Sequence, residues 1–83
     1  MKKLKVFGGY WMFRYQDKYK QWNIACAAYT KKQAMELLEI TSAKYFNDFF
    51  CETGNDRALA TATEVGVWLM ADLNHDMEPV RVK

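Results

Sequence analysis

Side chains with acid–base or metal-binding chemistry are few and scattered in this 83-residue chain. His75 is the single histidine, and its Asn-His-Asp context is typical of an exposed turn. The carboxylates between positions 36 and 56 have helical spacings, which are typical of a solvated helix surface. Gly8-Gly9 lacks the further glycine and the lysine of nucleotide-binding loops. We therefore predict no catalytic residue, no metal site, no cofactor and no enzymatic activity.

Recognition by charge and by ring stacking is the chemistry that the first 32 residues offer. They carry eight Lys or Arg against one acid, Asp17, whereas residues 33–83 carry four bases and nine acids. A net charge of +2 thus hides a positive N-terminal third. Bases interleaved with aromatic rings suit an anionic or aromatic partner surface. The predicted partner-binding residues are Lys3, Lys5, Tyr10, Trp11, Arg14, Tyr15, Lys18 and Lys20.

The aromatic side chains of this segment are too many for one face of a small sheet to bury. Some rings should stay exposed beside the bases, and Tyr, Trp and Arg are enriched in protein–protein interfaces. In the other interpretation, the lysines only solubilise the outer face of a sheet whose inner face is the core. The eight aromatic residues are Phe7, Tyr10, Trp11, Phe13, Tyr15, Tyr19, Trp22 and Tyr29.

A long β-hairpin is the element that the N-terminal third predicts. Apolar residues alternate with lysines over residues 3–7, and apolar residues recur at every second position over 22–28. This period is typical of half-buried strands. Residues 16–18 would form the polar turn, and Gly8-Gly9 would allow a bend or bulge.

Helices are predicted in the middle of the chain. Residues 30–33 match a capping box, so a helix should cover 31–39, with the Gln33 side chain returning to the Thr30 amide. Thr41 or Ser42 would cap a second helix, and Gly54 would be a left-handed terminator. Asn55 or Asp56 would cap a short third helix over 57–60. The second helix would carry an aromatic face made of Tyr45, Phe46, Phe49 and Phe50.

The C-terminal part predicts one strand and a weaker one. Residues 65–70 are apolar at every position, which favours a strand buried on both faces. Residues 74–76 supply a turn, and Pro79 permits only a short edge strand after it. We predict one α+β domain over residues 1–83, with helices on one face of a small antiparallel sheet. The sheet combines the N-terminal hairpin with a C-terminal strand or hairpin, and the order is ββαα(α)β(β).

Two alternative functions remain open from the sequence. Residues 31–50 resemble a helix-turn-helix with an inward Tyr45, but the second helix has Lys44 as its base against Asp48 and Glu52. Phosphates would repel that helix, so we expect an αα-hairpin that closes the core. Nucleic-acid binding, by this motif or by stacking of single strands on the hairpin, is one alternative. A structural homodimer, in which the strand over 65–70 pairs with its copy, is the other.

Four short stretches carry a resemblance to small proteins encoded by bacteriophages and mobile elements. They are the opening strand ending in Phe-Gly-Gly, residues 25–34, residues 51–55 and residues 66–68. The resemblance implies a protein that binds a bacterial host complex, often to inhibit a defence system such as a CRISPR effector or a nuclease. It supplies no catalytic residues.

The sequence also predicts the compartment. No apolar run approaches the roughly 20 residues that span a bilayer, and the basic start lacks the long apolar stretch of a secretory signal. Cys26 and Cys51 lack the close spacing of metal or redox motifs, so we expect free thiols packed in the core. We therefore predict a cytoplasmic protein with no membrane association.

Overall fold

The computed structural model describes residues 3–72 and 76–83. Its elements, in chain order, are β1 (Lys5–Tyr15), β2 (Lys18–Ala28), α1 (Lys31–Leu38), α2 (Ala43–Phe49), β3 (Phe50–Glu52), α3 (Asp56–Thr61), β4 (Gly66–Asp72) and β5 (Asp76–Arg81). The strands form one antiparallel sheet in the order β3-β1-β2-β4-β5. The predicted α+β class and the approximate element order are confirmed, and β3 is an additional short strand.

The N-terminal hairpin forms as predicted and pairs along its whole length. The register runs without interruption from Lys5 opposite Ala28 to Tyr15 opposite Lys18. The two turn residues between the strands have φ angles of 51° and 62°. Positive φ at both positions is the geometry of a type I′ turn, whose twist matches that of the two strands.

Gly8-Gly9 does not form a bulge in the hairpin, so that part of the prediction is wrong. Both glycines keep the regular β1–β2 register, and the register shifts of the sheet lie between β2 and β4 at Asn23/Ile24 and between β4 and β5 at Leu69/Ala71. The glycines instead face β3, which pairs with Phe7–Gly9. A Cβ atom on Gly9 would lie 2.0 Å from the carbonyl oxygen of Phe49. Glycine is required there because another part of the backbone passes too close for any side chain.

Both faces of the sheet carry a core. On one face, α1 and α2 cover the alternate residues of β1, β2 and β4, with Leu38 and Phe46 as their buried anchors. On the opposite face, α3 contributes Ala58 to a smaller cluster. The prediction of helices on one face is therefore wrong for α3. Its close approach is allowed by Ala25 and Ala27, small residues that β2 presents on that face.

The cap of α1 is a shifted form of the predicted capping box. The Thr30 hydroxyl accepts from the Gln33 amide at 3.0 Å, as predicted. The Gln33 side chain instead accepts from the amide of Tyr29, at 2.8 Å. At the other end, Glu39 is a left-handed C-cap with φ 59°, so the helix is one residue shorter than the predicted 31–39.

The predicted aromatic face of the second helix is divided by the start of β3. Ser42 caps α2, which ends at Phe49, while Phe50 is extended because it pairs with β1. The Phe46 and Phe50 rings are buried and stacked, with centroids 5.4 Å apart. The other two rings of that set, including the predicted inward Tyr45, are about half exposed (Tyr45 55% and Phe49 45%).

The remaining elements follow the sequence with one exception. The Asn55 side chain caps α3, β4 is buried on both faces, and β5 carries Pro79 at the edge of the sheet. The exception is Gly54, since none of the described glycines has a positive φ. The predicted turn at 74–76 and its His75 fall largely outside the described residues. None of the helices in the described part of the chain has the length and apolar character to cross a bilayer.

The two cysteines lie in opposite environments, and both are free thiols. Cys26 is in the core beneath α1, where burial raises the pKa of its thiol to about 12, although Lys83 lowers it slightly. Cys51 lies on β3 and is exposed. The prediction of core packing is therefore confirmed for Cys26 and wrong for Cys51, because β3 is an edge strand whose outer residues meet solvent.

We expect one thiol of the folded protein to react with a disulfide reagent at pH 8 and two to react after denaturation. Cys51 is open to the reagent, whereas Cys26 is inaccessible and stays protonated. Stability should also fall as the pH rises above 9.0, because the Cys26 thiol ionises in the unfolded chain but stays protonated when folded. Colorimetric titration of the wild type and of Cys51→Ser checks the assignment; fast labelling of folded Cys51→Ser would contradict it.

Candidate partner-binding face

The eight predicted partner-binding residues do not form one surface. Successive side chains of a strand point to opposite faces, so the hairpin divides the set. Lys3 and Lys5 are near one end of β1, about 33 Å from the turn at 3.3 Å per residue. The other six split by face: Tyr10 and Arg14 lie on the face that bears α3, while Trp11, Tyr15, Lys18 and Lys20 lie on the face that bears α1 and α2.

The rings on the α1 and α2 face are held by contacts within the chain. Trp11 packs edge-on against Phe49, with ring centroids 5.4 Å apart. Tyr15 packs in the same way against Trp22, whose indole N–H donates to the Phe13 carbonyl oxygen at 2.8 Å. Trp11 and Tyr15 therefore complete the outer end of the core.

Lys20 is likewise engaged on that face. Its Nζ lies 4.5 Å from the centroid of the Trp22 ring and 3.3 Å from a carboxylate oxygen of Asp72. An ion pair that is half exposed contributes little to stability. It nevertheless offsets the charge that Lys20 would present to a partner.

The opposite face of the hairpin is bare at its outer end. Here α3 covers only the inner end of the sheet, around Ala25 and Ala27, and the described residues place no helix over the outer end. Tyr10 is 47% exposed, Met12 42% and Tyr19 61%. We name this surface the hairpin face; its residues are Tyr10, Met12, Arg14, Tyr19, Gln21 and Asn23.

The composition of the hairpin face is typical of a protein interface. Cross-strand pairs join Met12 to Gln21 and Arg14 to Tyr19, and the guanidinium of Arg14 lies 6.0 Å from the centre of the Tyr19 ring. Tyr, Met and Arg are enriched in interfaces, whereas Lys is depleted. Of the six residues, Arg14 is the one with a charge.

Four residues of the hairpin face were missed by the sequence analysis, namely Met12, Tyr19, Gln21 and Asn23. They can be identified from the alternation of side chains along a strand, once Trp22 is taken as a residue that points into the core. With a two-residue turn at 16–17, strand pairing then assigns every second residue of both strands to the face opposite Trp22. Residue type and charge alone do not make this division.

A shallow cavity of about 400 Å³ extends the hairpin face toward α3. Gly8 and Gly9 form its floor, and Tyr10 stands at its border with the hairpin face. Arg57 lines the far wall and donates a hydrogen bond to the carbonyl oxygen of Met77. The cavity offers a partner a recess next to an exposed ring.

Known proteins give no guide to this site: no family model matches the chain, and neither a curated protein nor a solved structure matches it. Within residues 3–72 and 76–83, no three His, Cys, Asp or Glu side chains lie together as metal ligands would. Functional inference therefore depends on the geometry of the hairpin.

Proposed function

We propose that this protein is a non-enzymatic binding protein that docks the hairpin face on a partner protein and blocks it by occupancy. The observation that carries the proposal is the bare outer half of a regular hairpin, where Tyr10, Met12 and Tyr19 are exposed together. Tyrosine side chains have few rotatable bonds and lose little conformational entropy on binding. A few such residues supply most of an interface's energy.

The distribution of charge favours a protein over a nucleic acid as the partner. A groove for single strands combines stacking rings with a series of bases along the phosphate path. The exposed rings here have Arg14 beside them, whereas Lys18 and Lys20 belong to the other face. As for the helix-turn-helix alternative, α2 has seven residues and runs directly into β3, with Asp48 near its end.

The homodimer alternative requires an unpaired edge on the strand over 65–70. The strand over 65–70 corresponds to β4, which pairs with β2 on one side and with β5 on the other. Its edges are therefore occupied, and it cannot add a second copy of itself. A dimer would need another surface.

The proposed setting follows from the resemblance to phage and mobile-element proteins. The partner would be a protein complex in the cytoplasm of a bacterial host, such as a defence nuclease, and binding would inhibit it. The bases that are spread over the hairpin would speed encounter with an acidic surface and contribute less to the final contact. Lys3, Lys5 and Lys18 are exposed and fit that role.

The test is to capture the partner from bacterial lysate, with and without nuclease treatment, and to compare two tyrosine variants in binding to it. Tyr19→Ser should weaken binding by about thirtyfold, because removing one interface ring costs about 2 kcal/mol. Tyr45→Ser is the matched control, since Tyr45 is similarly exposed but lies on α2. Lys18→Ala should mainly slow association.

Two results would contradict the proposal. Equal affinities for the two tyrosine variants would exclude the hairpin face as the docking surface. Loss of the captured partner on nuclease treatment, together with steep weakening as salt rises, would replace it with nucleic-acid binding.

A further inference from the structure

The outer edge of β1 is unpaired beyond Gly9 in the described part of the chain, where β3 pairs only with Phe7–Gly9. In a hairpin closed by Tyr15 opposite Lys18, the odd residues of β1 exchange hydrogen bonds with β2, and the even ones point outward. The Val6 carbonyl oxygen accepts a hydrogen bond from the Thr53 N–H on this edge at 2.9 Å. Val6 is also an even residue, so its outward direction agrees with this alternation. Beyond the Gly9–Phe50 pair and the adjoining Phe49 carbonyl oxygen, the outward backbone groups of β1 belong to Met12 and Arg14.

Apart from the charge of Arg14, this edge has none of the features, within the described residues, by which proteins usually protect a free strand edge. Such features are short length, proline, lysine, bulges or a covering element. The edges elsewhere in the sheet show them, since β3 has three residues and β5 carries Pro79. By contrast, residues 10–14 are a regular stretch of large side chains with one base, Arg14. An edge of this kind is competent to pair with an added strand.

A groove of about 310 Å³ runs beside the same edge. Trp11, Phe13 and Leu38 line it on the α1 and α2 face, and Arg14 and Tyr19 line it on the hairpin face. The alternate side chains of an added strand would therefore meet an apolar wall on one side and a base on the other. Such a strand would alternate apolar and acidic residues. The carboxylate at this groove, that of Glu39, lies 3.3 Å from the Nζ of Lys83.

Charge decides between a partner strand and a second copy of this chain. Two copies paired along β1 would bring two hairpins together, each from a segment with a net charge of +7. Two positive segments brought this close repel each other, whereas an acidic strand is attracted. We infer that the open edge of β1 binds an extended acidic segment of the partner protein as an added strand. This inference rests on the proposed function and specifies how the partner is held.

Amide hydrogen exchange tests the geometry with a defined probe, a capped eight-residue peptide of alternating valine and glutamate. In the free protein the amides of Trp11 and Phe13 are protected by β2, while those of Met12 and Arg14 exchange rapidly. The peptide should slow the exchange of the Met12 and Arg14 amides. A valine–lysine peptide should leave them unchanged. Equal protection by both peptides, or by neither, would overturn the inference.

Two variants of Met12 test whether its outward backbone N–H donates to the peptide. Met12→Pro removes the outward N–H of Met12 without removing a β1–β2 hydrogen bond, as proline does at a free edge. It should weaken peptide binding about tenfold, a factor equivalent to the loss of one or two hydrogen bonds. Met12→Ala keeps the N–H and should weaken binding less than threefold, which is below the value of one such hydrogen bond. Equal effects of the two variants would overturn strand addition.

A pair of methylated peptides keeps the test valid if Met12→Pro does not fold. One peptide carries N-methyl groups on the valine amides, and the other carries them on the glutamate amides. Strand addition predicts that one of them binds like the parent and that the other does not bind. Equal binding by both peptides would overturn strand addition by the partner. So would a wild-type dimer that forms as the protein concentration rises and that is absent in Met12→Pro.

The captured partner separates this inference from the proposed function. Weaker binding by Tyr19→Ser, together with equal binding by Met12→Pro and Met12→Ala, would keep the docking face and reject strand addition. The reverse pattern would keep strand addition and reject the hairpin face as the main anchor.

Discussion

Gly9→Ala is expected to lower the free energy of unfolding by about 3 kcal/mol or more, at the upper end of what overpacking costs. The added Cβ would lie 2.0 Å from the carbonyl oxygen of Phe49 and 2.8 Å from a ring carbon of Phe50. The first of these atoms belongs to the backbone and cannot rotate away. To relieve the overlap, β3 must separate from β1, which also displaces the buried Phe50 ring.

Gly8→Ala is the matched control for this effect. The same added atom at Gly8 would meet the Thr53 side chain at 3.4 Å, which is an ordinary van der Waals distance. Since Gly8 has no positive φ, alanine there should change stability by less than about 1 kcal/mol and can stabilise by restricting the unfolded chain. Urea unfolding followed by tryptophan fluorescence measures both variants. Similar midpoints for the two would show that β3 does not pass close to Gly9.

Phe46→Ala should destabilise the fold by about 3–5 kcal/mol, the usual range for a large aromatic residue truncated in a core. Phe46 is 2% exposed, and its ring contacts Phe7 edge-on and Phe50 face to face, both with centroids 5.4 Å apart. It is also the one buried residue of α2. Without the ring, α2 loses its buried anchor on the sheet.

Tyr45→Ala serves as the control on the neighbouring residue of α2. Tyr45 is 55% exposed, so its truncation should change the free energy of unfolding by no more than about 0.5 kcal/mol, as surface substitutions do. Thermal and urea unfolding of both variants give the comparison. A larger loss for Tyr45→Ala than for Phe46→Ala would mean that α2 faces the sheet with its other side, as a helix-turn-helix with an inward Tyr45 requires.

Local patterns were sufficient to predict most elements of this fold. The period of two over 22–28 gave β2, and the hydroxyl of Thr30 and the amide of Asn55 marked the starts of α1 and α3. These signals act through neighbours in the sequence, so a single chain displays them. They correctly specified an antiparallel sheet with short helices.

The features that were missed depend on contacts between distant segments. Phe50 continues an apolar helical pattern, but its pairing with Gly9 of β1 overrides that tendency and makes it a strand residue. The same contact explains the glycine pair, which looks like a bend in the sequence and is a point of close approach in the structure. Likewise, Ala25 and Ala27 can be recognised as the residues that α3 packs against only after the position of α3 is known.

The sequence identified the hairpin as the candidate element but did not separate its two faces. Charge and aromatic content identify the hairpin, and Tyr10 and Arg14 of the predicted set lie on its bare face. The count of bases does not show that Lys18 and Lys20 project from the other face, since that depends on strand phase. The same phase moves Trp11 into contact with Phe49.

The two-residue turn at Gln16 and Asp17 has a consequence for how the chain folds. Strands joined this closely can pair within about 1–10 μs. Pairing of β3 and β4 with the hairpin closes much longer stretches of chain and is therefore slower. During that interval the ribbon exposes aromatic residues and unpaired strands to other newly made chains. Refolding yield should therefore drop as chain concentration rises, and cooler, slower synthesis should favour recovery of the native protein.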